Sequence, residues 1–131
     1  MKKLNISDDN TYLVDAADFN KIRYAICELL DANKSEKILM LNLKPLFTYD
    51  LWFIIVTALS VSHLKKLCQE IIFSLRKRGI YSANVPNDVD YESGWVALDY
   101  GELIIHVFMK DKRDFYNLEE LWQKAIFEEY P

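Results

Sequence analysis

Leu51 to Ala58 reads Leu-Trp-Phe-Ile-Ile-Val-Thr-Ala, a near-continuous apolar run with Ile54, Ile55 and Val56 at its centre. Side chains alternate faces along a strand, so a run that is apolar at successive positions presents hydrophobic surface on both sides. Such a segment is the pattern of a central strand covered above and below. A chain that contains it needs a sheet and a layer on each face of that sheet.

The flanking segments supply those layers. Phe19, Ile22, Ile26, Leu29 and Leu30 recur at helical spacing between about Ala16 and Leu30, with Asp15 or Asp18 as N-cap and a polar exit from Asp31 to Ser35. Glu36 to Leu43 reads as a buried strand stopped by Pro45, which has no N–H to give a ladder. Ser60 caps a long helix whose inward stripe is Leu64, Leu67, Cys68, Ile71, Ile72 and Leu75, with Gly79 as its C′ residue behind Arg76-Lys77-Arg78. Tyr81 to Val85 reads as a brief edge strand, which makes Leu51 to Val85 a right-handed strand-helix-strand crossover. Pro86 to Ser93 is a loop. Trp95 to Tyr100 and Leu103 to Phe108 are apolar and rich in aromatic and β-branched residues, and the Gly101-Glu102 pair between them marks a tight hairpin. A last helix is expected from about Asn117 to Glu129. The fold class that follows is α/β (α+β), a single mixed sheet of about five strands with helices packed on it. Residues 1–14 form an N-terminal arm and 15–131 one domain.

The chain has 131 residues with a net charge of −4, so a grip on nucleic acid dominated by phosphate contacts is disfavoured and a basic protein partner is preferred. Cys27 and Cys68 lie singly in helical segments, without the short spacing of a metal finger or redox motif, and are expected as reduced, buried thiols. The start turns acidic where a signal peptide needs its apolar stretch, and Leu51 to Val61 is too short to span a bilayer. A cytoplasmic protein without a membrane segment is expected.

Few constellations suggest chemistry. Asp88-Val89-Asp90 has the spacing with which nucleotidyltransferases hold two metal ions, but it falls in a Pro/Asn loop, and the strand-to-helix junction Thr57-Ala58-Leu59-Ser60 carries no glycine. These acids read as solvated. His106 could serve as a general base if Asp99 oriented it across the hairpin, or could simply be bonded within the sheet. Lys110, Lys112 and Arg113 form one small basic cluster and Arg76-Lys77-Arg78 another, with peripheral RNA contact as an alternative to plain solvation. On the hairpin's first strand Trp95, Ala97 and Asp99 point one way and Val96, Leu98 and Tyr100 the other. One of these faces is core; the other is covered by a helix or offered to a partner. Phe115, Tyr116, Leu118, Leu121, Trp122 and Ile126 have spacings that mostly build a helix-on-sheet core.

Gly94 to Trp122 resembles the signature of the ribosomal silencing factor (Iojap-like) family, with Trp95, Asp99, Tyr100, Gly101, His106, Arg113, Tyr116, Leu118, Glu119 and Trp122 in the family's order and spacing. Upstream the likeness is looser. Asn42 stands where an aspartate is usual, Leu51-Trp52 replaces a Tyr-Phe pair, and Ala58 appears where glycine is typical. The resemblance implies a nucleotidyltransferase-like topology and a noncatalytic translation repressor without metal or cofactor. It further implies binding to the large ribosomal subunit through its universal L-fourteen protein, which blocks joining of the small subunit. Under that reading Trp95, Leu98, Asp99, Tyr100, His106, Arg113 and Glu119 carry the partner contact, and exposed strands allow a homodimer. The alternatives are a metal-dependent nucleotidyl or phosphoryl transferase using Asp88, Asp90 and His106, and a large-subunit assembly factor.

Overall fold

The computed structural model describes residues 18–83 and 89–130. In chain order these form α1 (Phe19–Ala32), β1 (Glu36–Asn42), a 3-10 turn at Lys44–Leu46, β2 (Trp52–Ala58), α2 (Val61–Arg76), a 3-10 turn at Tyr91–Ser93, β3 (Trp95–Asp99), β4 (Leu103–Met109), α3 (Lys110–Tyr116), α4 (Leu118–Leu121) and β5 (Ile126–Glu129). The proposed arm, residues 1–14, and Val85 and Asp88 lie outside the described residues.

β2 is the central strand that its composition requires. The sheet runs β3-β4-β2-β1-β5, with β2 parallel to β4 and every other neighbouring pair antiparallel. Ile54 and Val56 face one side and join Ile22, Ile26, Leu30, Leu64, Leu67 and Ile71 in the larger core beneath α1 and α2. Phe53 and Ile55 face the other side, in a smaller cluster with Leu41, Phe108 and Leu118. The sheet is therefore covered unequally. Two helices of 14 and 16 residues lie over one face, whereas the helices after β4 have 7 and 4.

Helix starts follow the expected caps. Asp18 accepts from the Lys21 amide and Ser60 from the His63 amide, each satisfying a donor that has no partner within the helix. His63 also accepts at Nδ1 from the Leu59 amide and meets the Asn33 carbonyl through Nε2, which ties the start of α2 to the end of α1. Cys27 and Cys68 are free and buried, and burial pushes both thiols up to about 12. Asn42 accepts from the Lys44 amide and so steers the chain out of β1 into the 3-10 turn. Trp52 lies beneath the Arg23 guanidinium, whose carbon is 3.5 Å from the ring centroid.

Three expectations need correction. The segment from Asn117 to Glu129 is not one helix. Asn117 takes φ +45 and caps a single turn, after which Ile126–Glu129 pairs antiparallel with β1. Without β5 the outer edge of β1 would hold a row of unpaired amides and carbonyls, and filling that edge overrides the 3.6-residue period of Leu118, Leu121, Trp122 and Ala125. Tyr24, on α1, bonds to Glu128 and fixes the added strand. Secondly, Tyr81 to Ala83 is irregular and attaches to the sheet by a bond from the Ala83 amide to the Asp99 carbonyl. Thirdly, among the described residues the chain leaving α2 next enters the sheet at its edge, as β3, which runs antiparallel to β4; the parallel neighbour of β2 follows through the hairpin.

One polar side chain joins most of these pieces. β1 has a register irregularity between Glu36 and Leu39, and Lys37 within it has φ +53, a left-handed conformation costing about 1 kcal/mol in a non-glycine residue. The Lys37 carbonyl is bonded by Arg113 Nη1 at 2.7 Å, and the same nitrogen donates to Thr57 Oγ1 at 2.9 Å. Arg113 Nε and Nη2 both reach Glu119 Oε2, at 3.1 and 3.0 Å. A single buried guanidinium thus connects β1, β2, α3 and α4. Replacing it with alanine strands a carbonyl, a hydroxyl and a carboxylate, so Arg113→Ala is expected to lower unfolding stability by about 3 kcal/mol or more in a urea titration, and Arg113→Lys, lacking the planar fork, to restore only part of it.

Candidate docking face

The thinly covered face of the sheet carries a continuous series of rings. Tyr49 meets Phe47 with centroids 5.6 Å apart, Phe47 meets Trp122 at 5.8 Å, and Trp122 stands edge-on to Phe53 at 6.2 Å. Phe53 meets His106 at 4.5 Å, His106 meets Trp95 at 5.9 Å, Trp95 meets Tyr116 at 4.7 Å, and Tyr116 meets Phe115 at 5.0 Å. The series crosses the face from the loop before β2 to α3. Its ends and margin are open to solvent: Phe115 is 78% exposed, Leu121 67% and Tyr116 46%.

Local sequence explains how these rings reach one face. Trp95, His106 and Phe108 all lie on the same face of the hairpin, and cross-strand pairing sets Trp95 opposite Phe108, against which it stacks at 5.0 Å. Gly94, with φ +81, turns the chain into β3, and a Cβ built there would sit 2.8 Å from Lys112 Cγ. At the other end Gly101, φ +84, makes the hairpin turn, its amide held by Asp99 Oδ1 at 2.9 Å. α3 follows β4 directly and lays Phe115 and Tyr116 beside Trp95.

The polar groups of this face are committed inwards. His106 is 6% exposed, and its Nδ1 accepts from the Trp95 indole N–H at 3.1 Å. Burial pulls the imidazole down to about 4, so the ring is neutral at pH 7. The pairing of His106 with Asp99 does not form: Ala97 stands opposite His106, and Asp99 opposite Ile104. A neutral histidine locked by an indole is placed to orient Trp95.

Of the residues expected to carry the partner contact, the structure separates three groups. Leu98 and Tyr100 are core residues under α1 and α2, with Leu98 fully buried, because the even positions from Val96 to Tyr100 face the thick side. Arg113, His106 and Glu119 are spent within the molecule, as described above. Trp95 and Asp99 alone are half-exposed residues of the hairpin's open side. Phe47, Tyr49, Phe115, Leu121 and Trp122 belong to the same face and were not expected there. For Phe47 and Tyr49 the signal was available, since aromatic residues flanking a Pro-containing loop have no periodic core to enter. Two clefts flank the Arg113–Glu119 pair, of about 510 and 230 Å³, lined mainly by charged and polar side chains including Lys37. Asp90 caps the 3-10 turn by accepting from the Glu92 amide. Among the described residues, no group of three or more His, Cys, Asp or Glu side chains is arranged to hold a metal ion, and no helix is long and apolar enough to cross a membrane.

Comparison with known proteins gives this geometry a setting. A sequence model described as "Ribosomal silencing factor during starvation" matches residues 16–130. The ribosomal silencing factor RsfS of Bacillus subtilis is 33% identical over 105 residues, 80% of this chain and 85% of that protein. A crystal structure of a Chromobacterium violaceum protein superposes with a TM-score of 0.70 at 27% identity, covering 79% of this chain and 85% of that one. A mouse relative, 23% identical over 108 residues that make up 46% of its length, is named "Mitochondrial assembly of ribosomal large subunit protein 1".

The histidine gives a pH test. The folded-state value lies below the unfolded one of about 6.5, so the unfolded chain takes up a proton first, and stability present above pH 6.5 is lost as pH falls toward 4. The loss expected from this group is roughly 3 kcal/mol at most. Urea midpoints measured from pH 7 to 4 should fall more steeply for the wild-type chain than for His106→Gln; parallel curves would show that the imidazole is not held neutral.

Proposed function

This chain belongs to the ribosomal silencing factor family, and from that membership we propose that it docks on the large ribosomal subunit and prevents the small subunit from joining, so repressing translation. The contact is made by the open aromatic face, the target is the subunit's universal L-fourteen protein, and the mechanism is occupancy of the joining surface. Its place of action is the cytoplasm. The observation that carries the reading is the series of rings from Tyr49 to Phe115, of which Tyr49, Phe115 and Tyr116 stand in solvent with Leu121 exposed beside them.

Physical chemistry favours this face. Contiguous exposed apolar surface is unusual on a protein that works alone, and aromatic anchors surrounded by charge are the usual source of interface energy. The margin on α3 and α4 carries Asp111, Asp114 and Glu120 beside Lys110 and Lys112, and the net charge of −4 of the whole chain suits a basic ribosomal protein. Rigid anchors lose little conformational entropy on docking, and Trp95 is held in advance by His106 and Phe108. The Halalkalibacterium halodurans and Bacillus subtilis relatives, more similar than the mouse protein, are named for silencing, which favours a silencing factor over an assembly factor.

The reading distinguishes surface from core. Phe115→Ser with Leu121→Ser should leave the melting temperature close to the wild-type value and weaken co-sedimentation with purified large subunits by ~10-fold or more. Leu98→Ala should do the reverse, lowering stability by about 3 kcal/mol while the folded fraction still binds. Undiminished binding by the double variant would remove the aromatic face from the account.

A further inference from the structure

We propose that the outer face of α2 is a second docking surface, which binds RNA. It lies on the thickly covered side of the sheet, opposite the aromatic face. The chain as a whole has a net charge of −4, yet residues 61–78 carry Lys65, Lys66, Arg76, Lys77 and Arg78 against the single carboxylate of Glu70. Among the described residues none of these five cations is engaged in an ion pair. Lys65, Lys66, Arg76 and Lys77 are exposed.

A helix C-terminus favours cations without any partner, and that accounts for Arg76 to Arg78. It does not account for Lys65 and Lys66, which sit in the second turn of the helix, beyond the reach of its C-terminal dipole. Lys66, Gln69, Phe73 and Lys77 fall on one side of the helix at spacings of three and four, so positive charge stands at both ends of a strip about 16 Å long. Between those ends is an aromatic ring. Phe73 is 59% exposed, although the Lys77 ammonium lies 4.9 Å above the ring centroid, and Tyr81, just past the helix, is 65% exposed.

Cations spaced along a strip and interrupted by open rings match the chemistry of RNA, whose phosphates take the charge while unpaired bases stack on aromatics. An anionic membrane fits less well. A helix that lies in a bilayer surface inserts a broad apolar face, and the apolar stripe of α2, from Leu64 to Leu75, is already buried against the sheet. An acidic protein would satisfy the charges but gives Phe73 and Tyr81 no particular partner. The assignment does not depend on the contact proposed for the opposite face.

The test uses the full chain and a fluorescein-labelled RNA stem-loop, read by fluorescence anisotropy over a range of KCl concentrations. Wild-type protein should bind with an affinity that falls steeply with salt. Lys66→Glu, Arg76→Glu and Lys77→Glu together should weaken binding at least ~10-fold and flatten the log–log salt slope by roughly 2 to 3. Phe73→Ala should weaken binding to the loop without changing that slope. Circular dichroism checks that each variant is folded, and Phe115→Ser with Leu121→Ser should bind RNA as the wild type does, which keeps this surface separate from the aromatic one. Failure of wild-type protein to bind, equal affinity of the charge-reversed variant, equal binding to phosphatidylglycerol vesicles, or competition by polyglutamate as effective as by unlabelled RNA would each overturn the proposal.

Discussion

A strand that is apolar on both faces sets the terms for everything else in this molecule. β2 is buried along nearly its whole length, and water must be excluded above and below it. One side is closed in the ordinary way, by α1 and α2, whose stripes interlock with Met40, Ile54, Val56, Ile105 and Val107. Among the described residues, the other side has two short helices, one loop and the side chains they bring. Large rings do there what a helix does on the opposite face. Phe47, Trp95 and Trp122 roof the smaller cluster, and the outermost members of that roof remain wet.

That economy makes the thin side suited to a partner, and the polar interactions keep it rigid. Arg113 fastens α3 and α4 to β1 and β2, so the rings they carry are held on the sheet's framework. His106 stays neutral in its buried position and accepts from Trp95, fixing the indole plane. A surface prepared in this way can bind without reorganising, which is what a factor acting by occupancy needs. In this arrangement the imidazole accepts from an indole, and the guanidinium is bonded to a carbonyl, a hydroxyl and a carboxylate.

The parts of this structure that sequence reveals are those governed by local chemistry. The caps at Asp18 and Ser60, the stripe of α2, the doubly apolar β2 and the glycine turn of the hairpin all follow from residues within a few positions of one another. The face assignment of Trp95 and Leu98 follows from simple alternation, although which face is core does not, because that depends on where α1 and α2 settle. β5 was illegible for a different reason. Ile126 to Glu129 have a helical continuation in sequence, and only the vacant edge of β1, far away along the chain, turns them into a strand. Arg113 and Glu119 are visible as members of a family signature, but their service as an internal pin depends on the left-handed turn at Lys37, which nothing in the sequence marks. The nucleotidyltransferase-like label rests on family resemblance alone.

The central claim is that a rigid aromatic face acts by taking up space between two larger bodies. Light scattering of purified small and large subunits during magnesium-induced joining measures that directly. Prior saturation of the large subunits with this protein should abolish most of the rise in scattering, and the Phe115→Ser, Leu121→Ser variant at the same concentration should leave most of it intact. A full rise in scattering with the wild-type protein demonstrably bound would contradict the account.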